Sequence, residues 1–150
     1  MAELLTASSI LVALVTWFVT HRFAARAERI RLTGQLISHL STNPLLDEAN
    51  LRISRLLREG DRLEDDDVPD DLDRDLHRVL NYYEFLCDFC ALGALDRTTI
   101  IRLRGAPIHR TYEATKGYIV ARRKRLKYPS LYACLERLAA DVRAHAEAPS

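Results

Sequence analysis

Glycine, proline and cysteine are all scarce in this chain. Five glycines and five prolines among 150 residues leave long stretches without a breaker, and Leu, Ala and Arg abound, so helix is favoured almost throughout. No strand-like alternation of any length competes with the helical pattern. Three cysteines are an odd number and too few for a disulfide framework, which agrees with a reducing compartment. Internal repeats and low-complexity linkers are also missing. The expected architecture is therefore all-α: a small helical bundle.

Charge is missing from one place in particular. Leu4 to Thr20 reads LLTASSILVALVTWFVT, without an ionisable residue, and His21 and Arg22 close it. A helix of that length just crosses a hydrocarbon core of roughly 30 Å. Leu4, Leu11 and Leu14 would face lipid, with Trp17 and Phe18 at headgroup level. Arg22, Arg26, Arg29 and Arg31 follow, against Glu3 alone on the other flank, so the charge rule puts the N-terminus outside and the rest of the chain in the cytoplasm. A signal peptide would carry its positive charge before the apolar run, not after it. A buried helix of a soluble protein is the rival reading, since the run is short and holds Thr6, Ser8, Ser9 and Thr16. Residues 1–41 thus read as an anchor and helical stalk, and residues 42–150 as a cytoplasmic domain. Along the anchor and stalk, Ala13, Thr16, Thr20, Ala27, Ile30 and Ile37 mark a seam through which two copies could associate. Leu32, Leu36 and Leu40 widen its apolar face, which equally suits packing against the chain's own domain.

The net charge of +1 conceals segregation. Residues 42–96 carry six basic and fifteen acidic groups; residues 97–150 carry twelve basic and four acidic. Such halves attract each other, within one molecule or between copies. Asn43-Pro44 caps and opens a helix with the stripe Leu45, Ala49, Ile53 and Leu56, ending at Gly60. An acidic loop spans 61–69. The next helix starts near Asp70 and carries Leu72, Leu76, Val79, Tyr83, Leu86 and Cys90, with Gly93 as its stop. Asp96 caps a short helix ended by Gly105, and Pro107 opens another that runs to Leu126. Pro129 breaks it, and a last helix carries Leu131, Leu135, Leu138 and Val142.

No motif assembles a reaction centre. Cys87 and Cys90 have redox spacing but sit deep inside a helix, where no terminal dipole lowers a thiol pKa, so they read as small core residues. The acidic loop lacks the glycine and spaced glutamate of a calcium loop. The five histidines show no ligand spacing, and neither a metal nor another cofactor is expected. Asn81 and Glu84, one turn apart beside the apolar stripe, form a candidate polar clasp with Arg102, Arg104 or Arg110. Arg122, Arg123, Lys124, Arg125 and Lys127 form a candidate basic patch at a helix end, for anionic lipid or nucleic acid. Nucleic acid is disfavoured, because Tyr118, Tyr128 and Tyr132 make no stacking platform.

Leu80-Asn81-Tyr82-Tyr83-Glu84-Phe85-Leu86, Gly93-Ala94-Leu95-Asp96 and the later Pro129-x-x-Tyr132 together resemble a bacterial family, the domain of unknown function numbered 4760, over about residues 10–142. The resemblance implies small helical proteins, often with one N-terminal membrane helix, and no established activity. The expected function is a non-enzymatic, single-pass inner-membrane module. Its partners would be the bilayer and a protein, which could be a second copy. The alternatives are the basic-patch binder, an enzyme built on Asn81 and Glu84, and a membrane-acting defence effector.

Overall fold

The computed structural model describes residues 2–59, 63–64 and 68–147, with side chains from Val12 onward except at positions 40, 41 and 59. Five helices follow in order: α1 (Ala2–Thr42), α2 (Pro44–Glu59), α3 (Asp70–Ala91), α4 (Arg97–Leu126) and α5 (Ala133–Glu147). There is no strand among the described residues. Helices α2 and α5 each pack on both α3 and α4, which face each other across the bundle, and α1 lies against α2 and α4. The core between them holds Ile53, Leu76, Val79, Leu80, Tyr83, Leu86, Ile100, Ile108, Tyr118, Ile119, Leu135 and Leu138.

Helix α1 has 41 residues and is about 60 Å long. From Val12 to Leu32 it is exposed on every side. Its last turns then join the domain. Thr33 is fully buried; its hydroxyl donates to the Arg29 carbonyl (2.7 Å) and accepts from the Asp96 amide (2.9 Å). The Tyr82 hydroxyl donates to the Leu36 carbonyl at 2.5 Å, and Ile37 enters the core. Each such bond contributes about 1 kcal/mol net and the burial of an isoleucine about 2 kcal/mol, enough to hold this end of α1 but not what precedes it.

That docking corrects the expected seam. Ala13, Thr16, Thr20, Ala27 and Ile30 are exposed, but Ile37 packs inside its own domain and is unavailable to a second copy. Among the described residues, no helix is long and apolar enough to cross a membrane. Leu4 and Leu11, in the first half of the apolar run, lie outside the described side chains.

The caps follow the sequence closely. Asn43 Oδ1 accepts from the Leu46 amide at 3.2 Å, and Asp96 Oδ1 accepts from the Thr99 amide at 2.8 Å. Gly93, at φ +72°, closes α3 with paired bonds from Gly93 N–H to Cys90 C=O and from Ala94 N–H to Phe89 C=O. Gly60 lies outside the described residues. On α2, Ala49 and Ile53 of the expected stripe are buried, and in the first turn Leu46 takes the core position while Leu45 is exposed.

The predicted break at Gly105–Pro107 is absent, and α4 runs through both residues. Gly105 is buried where α5 comes closest; a Cβ there would lie 3.2 Å from both methyls of Val142. Pro107 lacks the N–H that would pair with Leu103, a residue on the solvent side of the helix, where water can take that bond. The stripe from Thr99 and Ile100 through Ile108 and Tyr112 to Ile119 is continuous, and its burial outweighs both breakers.

Helix α4 ends with Lys127 at φ +53°, a left-handed position normally given to glycine. Lys127→Gly is therefore expected to stabilise the fold by about 1 kcal/mol, read as a higher urea midpoint at unchanged slope.

Candidate functional site: a buried polar network

Acidic residues at the start of α3 meet arginines from both flanks. On one side Arg52 of α2 pairs with Asp71 and, at 3.3 Å, with Asp75, which also takes Arg78 at 3.1 Å. On the other, Asp73 accepts from the Arg122 guanidinium and, at 2.8 Å, from the Tyr118 hydroxyl, while Arg122 Nη1 also donates to Tyr118 at 2.6 Å. Tyr118 is fully buried and Arg122 is 9% exposed. The α3–α4 diagonal is thus bridged by long side chains. Burial pushes the Asp73 carboxyl up, but the Tyr118 hydroxyl and the Arg122 guanidinium outweigh it and hold it below its ordinary value.

One turn along α3, His77 meets Tyr132, whose hydroxyl lies 3.2 Å from Nδ1. Tyr132 is buried at φ +57°, in the left-handed region, immediately before α5. Burial lifts its hydroxyl to about 12, so it keeps its proton, and it donates to Nδ1 or accepts from it according to the His77 tautomer. Burial, and then Arg122, hold the His77 pKa below 6.5. In the unfolded chain His77 titrates near 6.5, so below that pH the unfolded state binds the extra proton. Stability is therefore expected to fall as pH drops from 6.5 towards the lowered folded value. His77→Asn should flatten that part of a stability–pH curve measured by urea denaturation.

Glu84, a further two turns along, accepts from the amides of Cys134 (3.1 Å) and Leu135 (2.6 Å). These are two of the orphan donors in the first turn of α5. Burial raises the Glu84 pKa against the pull of those two amides. The expected clasp is corrected accordingly. Glu84 meets backbone amides, not Arg102, Arg104 or Arg110, and Asn81 points out to solvent. The two residues converge on no shared site.

The expected basic patch is likewise divided. Arg122 is buried on Asp73; Arg123 donates to the Leu131 carbonyl and to Glu136, both internal contacts. Lys124, Arg125 and Lys127 are exposed. Of these pairs only Asp73–Arg122 joins the acidic segment to the basic one; Arg52–Asp71 lies within the acidic segment and Arg123–Glu136 within the basic.

The cysteines depart furthest from expectation. Cys87 of α3 and Cys134 of α5 form a disulfide with Cα atoms 5.7 Å apart, and Cys90, expected on the core stripe, is the partly exposed free thiol. Burial raises the Cys90 thiol to about 11, which leaves little thiolate at neutral pH. Sequence spacing emphasised Cys87 with Cys90. The pairing of Cys87 with Cys134 escaped notice because one 47 positions apart has no local signature.

A family model described as a domain of unknown function, DUF4760, matches residues 3–142. The chain belongs to that family. No curated protein and no solved structure matches it. The DUF4760 match extends over α1 and the whole bundle, so the exposed helix and the packed domain fall within one family unit. Among the described residues of this DUF4760 chain, no three His, Cys, Asp or Glu side chains converge as metal ligands.

One contact at the acidic loop has no precedent in the sequence pattern. Leu63 N–H donates to the Ala114 carbonyl at 3.0 Å, and Tyr118 N–H donates to the Leu63 carbonyl at 2.8 Å. Ala114 and Tyr118 are the two groups a regular helix would pair with each other, so the loop backbone lies across a turn of α4. Gly117 permits this approach: a Cβ there would lie 2.5 Å from Glu64 Cα. Gly117→Ala is expected to expel the segment, seen as faster amide exchange at Leu63 and Glu64, with α4 itself intact because alanine favours helix.

Proposed function

We propose that this chain is a membrane-anchored, non-enzymatic interaction module, held at the bilayer by the first half of α1 and presenting its bundle to a protein partner or a second copy. The observation that carries the reading is the apolar surface of α1. Val12, Leu14, Val15, Trp17, Phe18, Val19 and Phe23 are 44–69% exposed around the part of α1 that precedes its docked end. Contiguous apolar surface of that kind marks a membrane or association site. Arg22 stacks over Phe18 at 5.0 Å, and Arg26 and Arg29 follow on the same face, an arrangement suited to headgroups. A full crossing would use Leu4 to Leu11 as well, and the arginines put the domain on the cytoplasmic side. In this reading the association seam is limited to Ala13, Thr16, Thr20, Ala27 and Ile30. The packed end of α1 then couples the anchor to the domain without a flexible joint.

The test is fractionation of cells expressing the full chain. The protein is expected to stay in the membrane pellet through high-salt and carbonate washes, and release into the supernatant overturns the reading. Trp17 is the only tryptophan, so quenching of its fluorescence by brominated lipid reports its depth directly. The basic helix end is a weaker basis for binding nucleic acid or lipid, because Arg122 and Arg123 are occupied inside the fold.

A further inference from the structure

Between α2 and α4 lies a cleft of about 230 Å³ whose charge is of one sign. Asn50, Ser54 and Arg58 line it from α2, and Arg104, Arg110 and Thr111 from α4. No carboxylate is among its described lining residues. Several arginines of the bundle, Arg52, Arg78, Arg97, Arg122 and Arg123, meet carboxylates. Arg58, Arg104 and Arg110 meet none among the described residues. Three guanidinium groups facing one cavity repel each other, and no carboxylate among the described residues pairs with them there.

A second observation points to the same place. Tyr83 is fully buried, and its hydroxyl interacts with the Thr111 side chain without completing a hydrogen bond of ordinary geometry. Buried polar groups are nearly always paired, so an under-bonded hydroxyl needs an explanation. Thr111 in turn lines the cleft, and Arg104 and Arg110 act on the Tyr83 hydroxyl electrostatically. The under-bonded hydroxyl and the arginines without a described carboxylate therefore share one corner of the fold.

We propose that this cleft binds a phosphoryl group, held by Arg104 and Arg110 with Arg58 at the rim and with Asn50, Ser54 and Thr111 as further hydrogen-bonding groups. Guanidinium forks match phosphate oxygens in pairs, and side-chain amides and hydroxyls supply the remaining bonds. The volume falls below the roughly 300–1,000 Å³ of sites that enclose a whole organic ligand. One or two phosphoryl groups fill it, and the rest of the ligand stays outside. The group could belong to a soluble phosphate compound or to a lipid headgroup; its chemistry in the cleft is the same.

The full chain in nonionic detergent is titrated with sodium pyrophosphate at constant ionic strength, with binding followed by calorimetry and by thermal unfolding. Saturable binding and a raised midpoint are expected, with Arg104→Gln/Arg110→Gln weakening affinity at least about tenfold. Should that double variant not fold, Ser54→Asp places a carboxylate in the cleft on a partly exposed helix face and is expected to abolish binding with the helical spectrum unchanged. Tyr83→Phe removes the under-bonded hydroxyl. It should leave the unliganded midpoint equal or higher while weakening binding about threefold. Dioctanoyl phosphatidic acid displacing pyrophosphate at lower concentration assigns the headgroup as source, and failure to displace it assigns a soluble phosphate. Binding no stronger than an equal ionic strength of chloride, or unaltered in Ser54→Asp, overturns the proposal.

Discussion

Breaking the bond between Cys87 and Cys134 is expected to cost the domain about 4 kcal/mol. The bond closes a loop of 47 residues, and the chain-entropy model gives that figure for a loop of this length. For a domain of this size the thermal midpoint falls by roughly 10–20 °C. Thermal unfolding with and without a phosphine reductant measures it. Cys87→Ala and Cys134→Ala should each cost about as much as the double variant, because either one removes the same bond. Cys90→Ala, outside the bond, should change the midpoint little. An unchanged midpoint under reductant, with bond cleavage verified by mass, would sink this account.

The consequence is local as well as global. The first turn of α5 is held to α3 twice, by the disulfide at Cys134 and by the Glu84 carboxylate on the amides of Cys134 and Leu135. Glu84 and Cys87 are one helical turn apart, so a single stretch of α3 supplies both fastenings. After reduction the carboxylate remains, and α5 is the element expected to open first in hydrogen exchange. In a cytoplasmic setting, where thiols are kept reduced, the same difference becomes a stability that depends on oxidation.

Local chemistry was legible in the sequence, and contacts across the bundle were not. Asn43, Asp96 and Gly93 act where their residue types predict, because caps and left-handed turns depend on a few neighbouring atoms. Gly105 and Pro107 misled for the opposite reason. Their local preference to break a helix lost to a buried stripe that spans both, and the unbroken spacing of Ile100, Ile108, Tyr112 and Ile119 was the available signal. The cap of α5 had a weaker signal. Tyr132, just before the helix, is not a capping residue, so acceptors for the Cys134 and Leu135 amides had to come from elsewhere. Nothing local pointed to Glu84. The pairing of Asp73 with Arg122 joins positions 49 apart and was invisible except as a general attraction between the acidic and basic halves.

That pairing carries the second large effect. Asp73→Ala is expected to destabilise the domain by about 3 kcal/mol, because it leaves Arg122 charged, nine-tenths buried and without its carboxylate. The figure sits at the low end for buried pairs since Asp73 retains 29% of its side-chain exposure. Arg122→Met should cost less, about 1–2 kcal/mol, because Asp73 keeps the Tyr118 hydroxyl and can reach water. The double variant is the decisive member. With both charges gone and an apolar chain in the guanidinium's place, it should lie within about 1 kcal/mol of wild type. Urea denaturation of the four proteins yields the coupling, expected at about 3–5 kcal/mol. Simple addition of the two single costs would mean that Asp73 and Arg122 stabilise the fold independently. The pH dependence supplies a further check. Asp73 is held below its ordinary 3.8, so its contribution is complete above that value and is lost only as pH falls through the lowered one. The coupling should therefore be constant from neutral pH down to about 5 and shrink only in stronger acid, whereas the His77 contribution is already changing below 6.5.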